Sequence, residues 1–169
     1  AISLAKKING TVINSDSMQV YKELKILTAR PQKSEISKIK HHLYGYVDGK
    51  ERYNVEKWCN DATEIIHKAF RKDFTPILVG GTGLYIDTLI NGLIDIPQIP
   101  ERIKKESEKI ISEFGKKFLI DQIKIFDPTS LKEINANDIF RLRRIWEVFE
   151  TTGKKFSEWK LNKNKKFIK

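Results

Sequence analysis

Residues 14–19, Asn-Ser-Asp-Ser-Met-Gln, place a carboxylate between two hydroxyl groups directly after the apolar run 11–13. A carboxylate that faces a cleft can take a proton from a substrate or bind a metal through water. An aspartate at such a position also forms Asx-turns and caps helices. The local pattern therefore leaves two interpretations of Asp16 open, a general base and a turn former.

A second stretch, Gly-Gly-Thr-Gly at 80–83, follows the apolar residues 77–79. Glycines let backbone N–H groups approach a phosphate, and the start of a helix adds a favourable dipole. Thr82 would add a hydroxyl at the same place. Glycines at such turns also serve packing alone, and the Walker pattern Gly-Lys-Ser/Thr does not occur in the sequence. The stretch is therefore a candidate phosphate-binding turn that lacks the Walker sequence.

A third stretch carries three arginines in four positions, Arg141, Arg143 and Arg144. Arginine suits phosphate contact, and its planar head can stack on exposed bases. Helical spacing puts Arg141 and Arg144 on one face and displaces Arg143, with Asn137 as the expected amino-terminal cap. The alternative is an ordinary solvated face paired with acids such as Glu147.

The elements that must position these residues follow from periodicity and turn signals. We expect a helix end at 1–8 stopped by Gly10, a buried strand at 11–13, a helix at 55–70 capped by Asn54, a strand at 77–79 covered on both faces, and a helix from 84. Strand, glycine turn and helix are the unit of an open α/β sheet, whose ligands gather at the carboxyl ends of the strands. If the two strands are neighbours, Asp16 and Thr82 face one crevice.

Beyond the segment 97–100 the pattern is helical, at 101–114, 116–126, 128–134 and 137–152. We therefore predict an α/β core at 1–97, a small all-helical insertion at 98–159 and a return segment at 160–169. His41 and His42 lack metal-binding partners at sensible spacing, so we predict a structural role for at least one of them.

Composition narrows the class of protein. The 169 residues carry a formal charge of +10, and residues 101–169 hold 18 Lys and Arg against 11 Asp and Glu. This excess favours a polyanionic partner for the second half. The single Cys59 excludes an internal disulfide and fits a reducing compartment. No apolar run approaches 18 residues and the first residues do not form a signal peptide, so we expect a cytoplasmic protein without a membrane segment.

Four stretches together resemble the tRNA dimethylallyltransferases, the tRNA isopentenyltransferase family. They are INSDSMQVYKELKILTARP, HHLYGY with YNVEKW, PILVGGTGLYIDTLINGL and DPTSLKEINANDIFRLRRIWEVFETTGKKFSEW. The stretches occur in the family's order and cover nearly the whole chain, which is more specific than any one of them.

The resemblance implies a P-loop-NTPase-like parallel sheet flanked by helices, with the helical insertion contacting tRNA. It implies transfer of a dimethylallyl group from dimethylallyl diphosphate to N6 of the adenosine 3′ of the anticodon, with Mg²⁺, by a monomeric enzyme. Asp16 becomes the general base, and Gly81 and Thr82 contact the diphosphate, with Thr82 also beside the reacting base. The implied contacts with the tRNA anticodon stem-loop are Asp16, Ser17, Met18, Gln19, Phe140, Arg141, Leu142, Arg143 and Arg144.

In the resembled family a Walker loop precedes the first helix and a further helical part follows. Neither stands in this sequence, so the resemblance implies an incomplete fragment that does not turn over alone. Three other functions stay open: an isopentenyltransferase acting on free adenine nucleotides, a P-loop small-molecule kinase and a non-catalytic RNA-binding module.

Overall fold

The computed structural model describes residues 1–161 and 165–168. Contacts divide these residues into two units, the first made of 1–93 with 166–168 and the second of 94–161 with 165. Part of the predicted return segment, 162–164 and 169, lies outside the described residues. In the part that is described, no helix is both long and apolar enough to cross a membrane.

The first unit is an α/β unit. Its elements are, in chain order, α1 (Ile2–Lys7), β1 (Gly10–Asn14), α2 (Lys33–Ile36), β2 (His41–His42), α3 (Val55–Phe70), β3 (Thr75–Val79) and α4 (Gly83–Asn91). The three described strands are parallel in the order β2-β1-β3, and Ile13 pairs with His42 on one side and Leu78 on the other. The predicted α/β class is confirmed, and the two histidines serve as strand residues.

The strand β1 is the centre of the described sheet, and all five of its residues are buried. β3 lies at the edge of the described sheet, and its residues are partly exposed. The prediction that residues 77–79 are covered on both faces is therefore wrong for the described chain. A short apolar run predicts a strand, but it does not predict how many faces of that strand are covered.

The helix α3 has the predicted bounds and the predicted cap, since the Asn54 side chain accepts a hydrogen bond from Lys57 N at 2.9 Å. Its apolar stripe enters a core that combines the sheet with α4. The buried members of that core are Ile13, Val20, Leu43, Val47, Trp58, Cys59, Ala62, Ile66, Tyr85 and Leu89. Burial raises the pKa of the Cys59 thiol to about 12, so this cysteine stays protonated and packs as a small apolar group.

Gly10 does not stop the first helix as predicted. α1 ends at Lys7, and Gly10 is the first residue of β1. A methyl group at Gly10 would lie 2.9 Å from Ala5 Cα and 2.7 Å from Ile77 Cδ1. The glycine therefore permits close packing of α1 on the sheet, which a sequence pattern cannot distinguish from a helix stop.

The second unit is helical, with α5 (Glu101–Phe126), α6 (Pro128–Lys132), α7 (Ile139–Thr152) and α8 (Phe156–Lys160). Gly115 interrupts α5 with a left-handed φ of 70°, which accounts for the two separate helices predicted there. α6 is two residues shorter than predicted. The core of this unit consists of Ile99, Ile103, Leu119, Ile123, Leu142, Ile145, Trp146 and Val148.

A buried carboxylate joins two of these helices. Asp127 Oδ1 accepts a hydrogen bond from Ser130 N at 3.1 Å, which caps α6, and Oδ2 accepts one from Ser157 N at 3.0 Å, in α8. Burial opposes the charged form, but the hydrogen bonds from Ser130 and Ser157 outweigh it and lower the pKa of Asp127. Asp127 is therefore a charged link between α6 and α8.

Candidate active site

The loops after β1 and β3 leave the same edge of the sheet. The two strands pair in register as far as Asn14 and Val79. Beyond that pair, Ser15 N donates to Val79 O at 2.8 Å and Thr82 N donates to Ser15 O at 3.2 Å. The predicted neighbourhood of the two loops is therefore confirmed, and the backbone itself joins them.

Asp16 forms the turn that one interpretation predicted. Its Oδ1 accepts hydrogen bonds from Met18 N at 2.8 Å and Gln19 N at 3.2 Å. Its second oxygen, Oδ2, faces the glycine turn, since a methyl group at Gly81 would lie 4.0 Å from it. One carboxylate oxygen therefore holds the loop while the other points toward the place where phosphates were predicted. The base role stays a prediction.

Asn14 fixes the position of this loop, and sequence reasoning did not identify it. Its side chain is fully buried, donates to Asp16 O and Leu43 O at 3.0 Å each, and accepts from Asp16 N at 3.0 Å. The buried Trp58 indole donates to Asn14 O at 2.8 Å. An asparagine that ends a buried strand was the available signal, because a buried amide must find several partners.

Gly80 was singled out only as part of a turn, but the structure shows a specific reason for it. A methyl group there would lie 2.4 Å from Ser15 C and 2.5 Å from Asp16 N. Both atoms belong to the backbone and cannot rotate away. Only glycine therefore lets the loop after β3 pass so close to the peptide that carries Asp16.

The Thr82 hydroxyl connects the glycine turn to the loop after β1. It accepts a hydrogen bond from Ser17 N at 2.9 Å and donates to Ser17 Oγ at 3.2 Å. For this reason Thr82, although it is the residue that precedes α4, makes no side-chain cap to that helix. The hydroxyl thus binds Ser17, the residue after Asp16, and holds the loop, and its role beside a substrate stays a prediction.

The residues after Asp16 differ in what they offer a ligand. Met18 is half exposed, whereas the Gln19 side chain donates to Thr28 O at 2.7 Å and braces the loop.

Beneath the loop, the Trp58 and Tyr85 rings stack with centroids 4.7 Å apart. Burial raises the pKa of Tyr85 to about 12, and burial together with the charge of Asp16 raises that of Tyr44. These phenols remain neutral at physiological pH.

Ser15 offers a direct stability test of the loop. Its side chain is fully buried, and within the described structure its hydroxyl has no hydrogen-bond partner. Because an unpaired buried hydroxyl costs free energy, we expect Ser15→Ala to raise the free energy of unfolding by about 1 kcal/mol. Urea denaturation measures this. Ser17→Ala is the control and should not stabilise, because it removes the partner of Thr82; a less stable Ser15→Ala variant would contradict the assignment.

The arginine stretch lies on α7 in the second unit. Asp138, not the predicted Asn137, caps this helix by accepting from Arg141 N at 3.1 Å, and its carboxylate also pairs with the Arg141 side chain at 3.2 Å. The Phe140 ring is 81% exposed, and Arg144 is exposed as well. Phe140, Arg141 and Arg144 therefore present one aromatic and two cationic groups to solvent.

Two of the predicted contact residues on α7 point inward. Leu142 is completely buried in the core of the unit. Arg143 donates to Ser107 Oγ at 2.9 Å and pairs with Glu108 at 2.9 Å and Glu147 at 3.4 Å, and Glu147 is itself buried. The Arg143 charge compensates a buried carboxylate. The prediction that the side chains of Leu142 and Arg143 contact RNA is therefore corrected: both have a structural role.

The resemblance implies magnesium, but the described residues do not form a complete magnesium site. Those residues contain no group of three or more His, Cys, Asp or Glu side chains able to hold a metal ion. Asp16 Oδ2 is the carboxylate oxygen that faces the glycine turn. Mg²⁺ is commonly held by one or two carboxylates together with substrate phosphates, and a single carboxylate is too little to make a site by itself.

Comparison with known proteins finds relatives over most of the chain. The chain is 43% identical to a tRNA dimethylallyltransferase of Pelagibacter ubique over 159 residues, which is 94% of this chain and 51% of that protein. It is 44% identical to one from Rickettsia conorii over 151 residues, 89% of this chain and 42% of that protein. The chain thus spans about half the length of the curated relatives it matches.

Solved structures give the same result. A eukaryotic dimethylallyltransferase acting on tRNA matches 98% of this chain and 41% of its own with a TM-score of 0.81 at 33% identity. A tRNA isopentenylpyrophosphate transferase from Bacillus halodurans matches 90% of this chain and 51% of its own with a TM-score of 0.55 at 34% identity. These matches confirm the predicted P-loop-NTPase-like fold class. A family model described as IPP transferase covers residues 19–168, and the chain therefore belongs to the IPP transferase family.

Proposed function

We propose that the protein transfers a dimethylallyl group from dimethylallyl diphosphate to N6 of the adenosine 3′ of the anticodon in tRNA. The observation that carries this proposal is the geometry of Asp16. One oxygen is held by two backbone N–H groups, and the other faces a glycine turn at the start of a helix. A fixed carboxylate beside a phosphate-binding turn is what a prenyl transfer to an amine requires.

In this scheme Asp16 Oδ2 removes a proton from the adenine N6 amine while the nitrogen forms a bond to C1 of the allyl group. The bond from C1 to the diphosphate oxygen breaks, and its electron pair leaves with the diphosphate. An exocyclic amine of adenine is a weak nucleophile, so removal of its proton must accompany bond formation. Because Thr82 N, Gly83 N and Tyr85 N already donate to backbone oxygens, the dipole at the start of α4 is the feature that would stabilise the charge developing on the leaving diphosphate.

Thr82 and Gly81 border the same space. A methyl group at Gly81 would meet nothing nearer than Asp16 Oδ2 at 4.0 Å, so this glycine leaves room for the diphosphate beside that oxygen. The Thr82 hydroxyl, which donates to Ser17 Oγ in this structure, would exchange that bond for a diphosphate oxygen. Mg²⁺ would have to be held chiefly by the diphosphate, whose charge it would neutralise, because Asp16 offers one carboxylate near this turn.

The helical unit favours tRNA over a free nucleotide as the acceptor. Phe140, Arg141 and Arg144 are exposed together on α7, which suits stacking on an unstacked base and contact with phosphates. The reacting adenine must leave its stack to meet a carboxylate in a cleft. In this proposal Ser17 and the half-exposed Met18, which follow Asp16 in the chain, line the path of the adenine. The proposal treats the enzyme as a cytoplasmic monomer.

The test compares acceptors with the full-length protein. Labelled dimethylallyl diphosphate is supplied with an anticodon stem-loop that carries the adenosine, with the same stem-loop in which guanosine replaces it, and with AMP. The proposal expects transfer to the first substrate alone. Transfer to AMP at a comparable rate would indicate the free-nucleotide enzyme, phosphoryl transfer from ATP would indicate a kinase, and RNA binding without any transfer would indicate a binding module.

A further inference from the structure

A second concentration of positive charge lies in the first unit, mostly near the amino-terminal ends of the strands, whereas Asp16 follows the carboxyl end of β1. Two neighbouring cavities of about 260 and 360 Å³ open there. They share Lys40 and Phe74 and flank Gly10 and Thr11, the first residues of β1. Gly10, at the start of β1, is about 13 Å from Asn14 at its end, from the rise per residue of a strand, whereas His42 lies level with Ile13.

The charge of this region is unbalanced. Among the described residues, the side chains that line the two cavities include five lysines and no carboxylate. The lysines are Lys6, Lys38, Lys40, Lys68 and Lys72. Lys68 is paired with Glu64 one helical turn away, but both side chains are more than half exposed, so this pair is weak and can be exchanged for a ligand.

The cavity walls are partly apolar. Ile65, the buried Ala69 and Phe74 form one side of the smaller cavity, and Lys40 Nζ lies 5.6 Å from the centroid of the Phe74 ring. His42 lines the same cavity, where burial and then the charge of Lys40 lower its pKa. The lysines make the local potential positive, and the partly apolar wall strengthens their attraction for an anion.

We propose that these two cavities form one groove, the lysine groove, that binds the phosphate groups of a ligand. Lysine acts as a point charge toward phosphate without selecting a base sequence. Five lysines along two adjoining cavities can meet more than one phosphate. The phosphates could be those of an RNA backbone or those of a small free ligand, since both offer the same anion.

The test uses the full-length protein with Lys40→Gln and Lys72→Gln combined. The matched control combines Lys50→Gln and Lys57→Gln, which removes the same charge from exposed lysines of the same unit that do not line the groove. Thermal unfolding verifies that both variants fold. The first measurement is tRNA affinity against salt concentration. If the groove binds the RNA backbone, the groove variant alone should bind tRNA more weakly. The slope of log affinity against log salt concentration should then be smaller by about two, about one for each lost phosphate contact.

The second measurement titrates inorganic phosphate and follows the NMR signals of the Thr11 amide and the His42 ring. A small-ligand source predicts shifts of both signals in the unmodified protein and the control, and their loss in the groove variant. Phosphate bound at the glycine turn would instead move the Gly81 and Gly83 amides, so this result is independent of the proposed transferase activity. The proposal would be overturned by two results together. The Thr11 and His42 signals would respond to neither phosphate nor tRNA, and the two variants would show equal salt dependence of tRNA affinity.

Discussion

Asp16→Asn is expected to lower kcat for prenyl transfer by about 10²–10⁴-fold, the usual contribution of a general base. Asparagine retains an oxygen that can accept from Met18 N and Gln19 N, so the loop should keep its conformation. It cannot take the proton from the adenine amine. Single-turnover transfer to an anticodon stem-loop, measured with the full-length protein, gives the rate, and a filter-binding titration should show nearly unchanged RNA affinity.

Asp16→Ala separates the two roles of this residue. It removes the base and also the two hydrogen bonds to the loop, so stability should fall by about 1 kcal/mol in addition to the loss of turnover. The asparagine variant should lose turnover without that loss of stability. If the asparagine variant retained transfer within tenfold of the unmodified protein, Asp16 would be a turn former only and the base would have to be another group.

Gly80→Ala is expected to destabilise the protein by about 1–3 kcal/mol, because its methyl group would overlap the backbone at Ser15 C and Asp16 N. Relief of this overlap must displace the peptide that carries Asp16. A displacement of about 1 Å can reduce the rate about 10²-fold, so transfer should fall together with stability. Urea denaturation and single-turnover rates measure the two effects.

Gly83→Ala is the matched control for stability. It adds the same methyl group three residues later, at the first residue of α4, where no atom lies within 4 Å of the new carbon. Alanine also favours a helix more than glycine does. The control should therefore be as stable as the unmodified protein or slightly more so. Equal stability of the two alanine variants would show that the close approach at Gly80 does not exist in solution.

Local sequence signals predicted much of the fold. The stripe and the Asn54 cap of α3 are properties of neighbouring residues, and the helix has the bounds that they predict. The apolar runs before Asp16 and Gly80 likewise identified two strands, and the glycines placed the turn between β3 and α4. The resemblance identified the family. These features were accessible because periodicity, capping and turn chemistry act within a few residues.

The details of the site were not accessible in this way. Asn14 holds the Asp16 loop through Leu43 O, and Trp58 reaches Asn14 O from α3, so both roles depend on tertiary contacts. Arg143 was grouped with its neighbours as a phosphate ligand, but its partner Ser107 lies on another helix, 36 residues away. Helical spacing offered pairing with Glu147 as the alternative, and Arg143 makes that pair. The spacing does not predict that Glu147 is buried or that Ser107 on another helix adds a hydrogen bond.

The bonds that Thr82 makes to Ser17 have a consequence for folding kinetics. They connect residues 65 positions apart. Pairing of β1 with β3 therefore closes a loop of chain that contains α2, β2 and α3. Closing a segment of this length costs entropy before the contacts repay it. The carboxylate and the glycine turn should therefore come together late, when the parallel strands pair. Refolding monitored at Trp58, whose indole donates to Asn14 O, should follow the same slow step as protection of the Thr82 amide, which donates to Ser15 O, from hydrogen exchange.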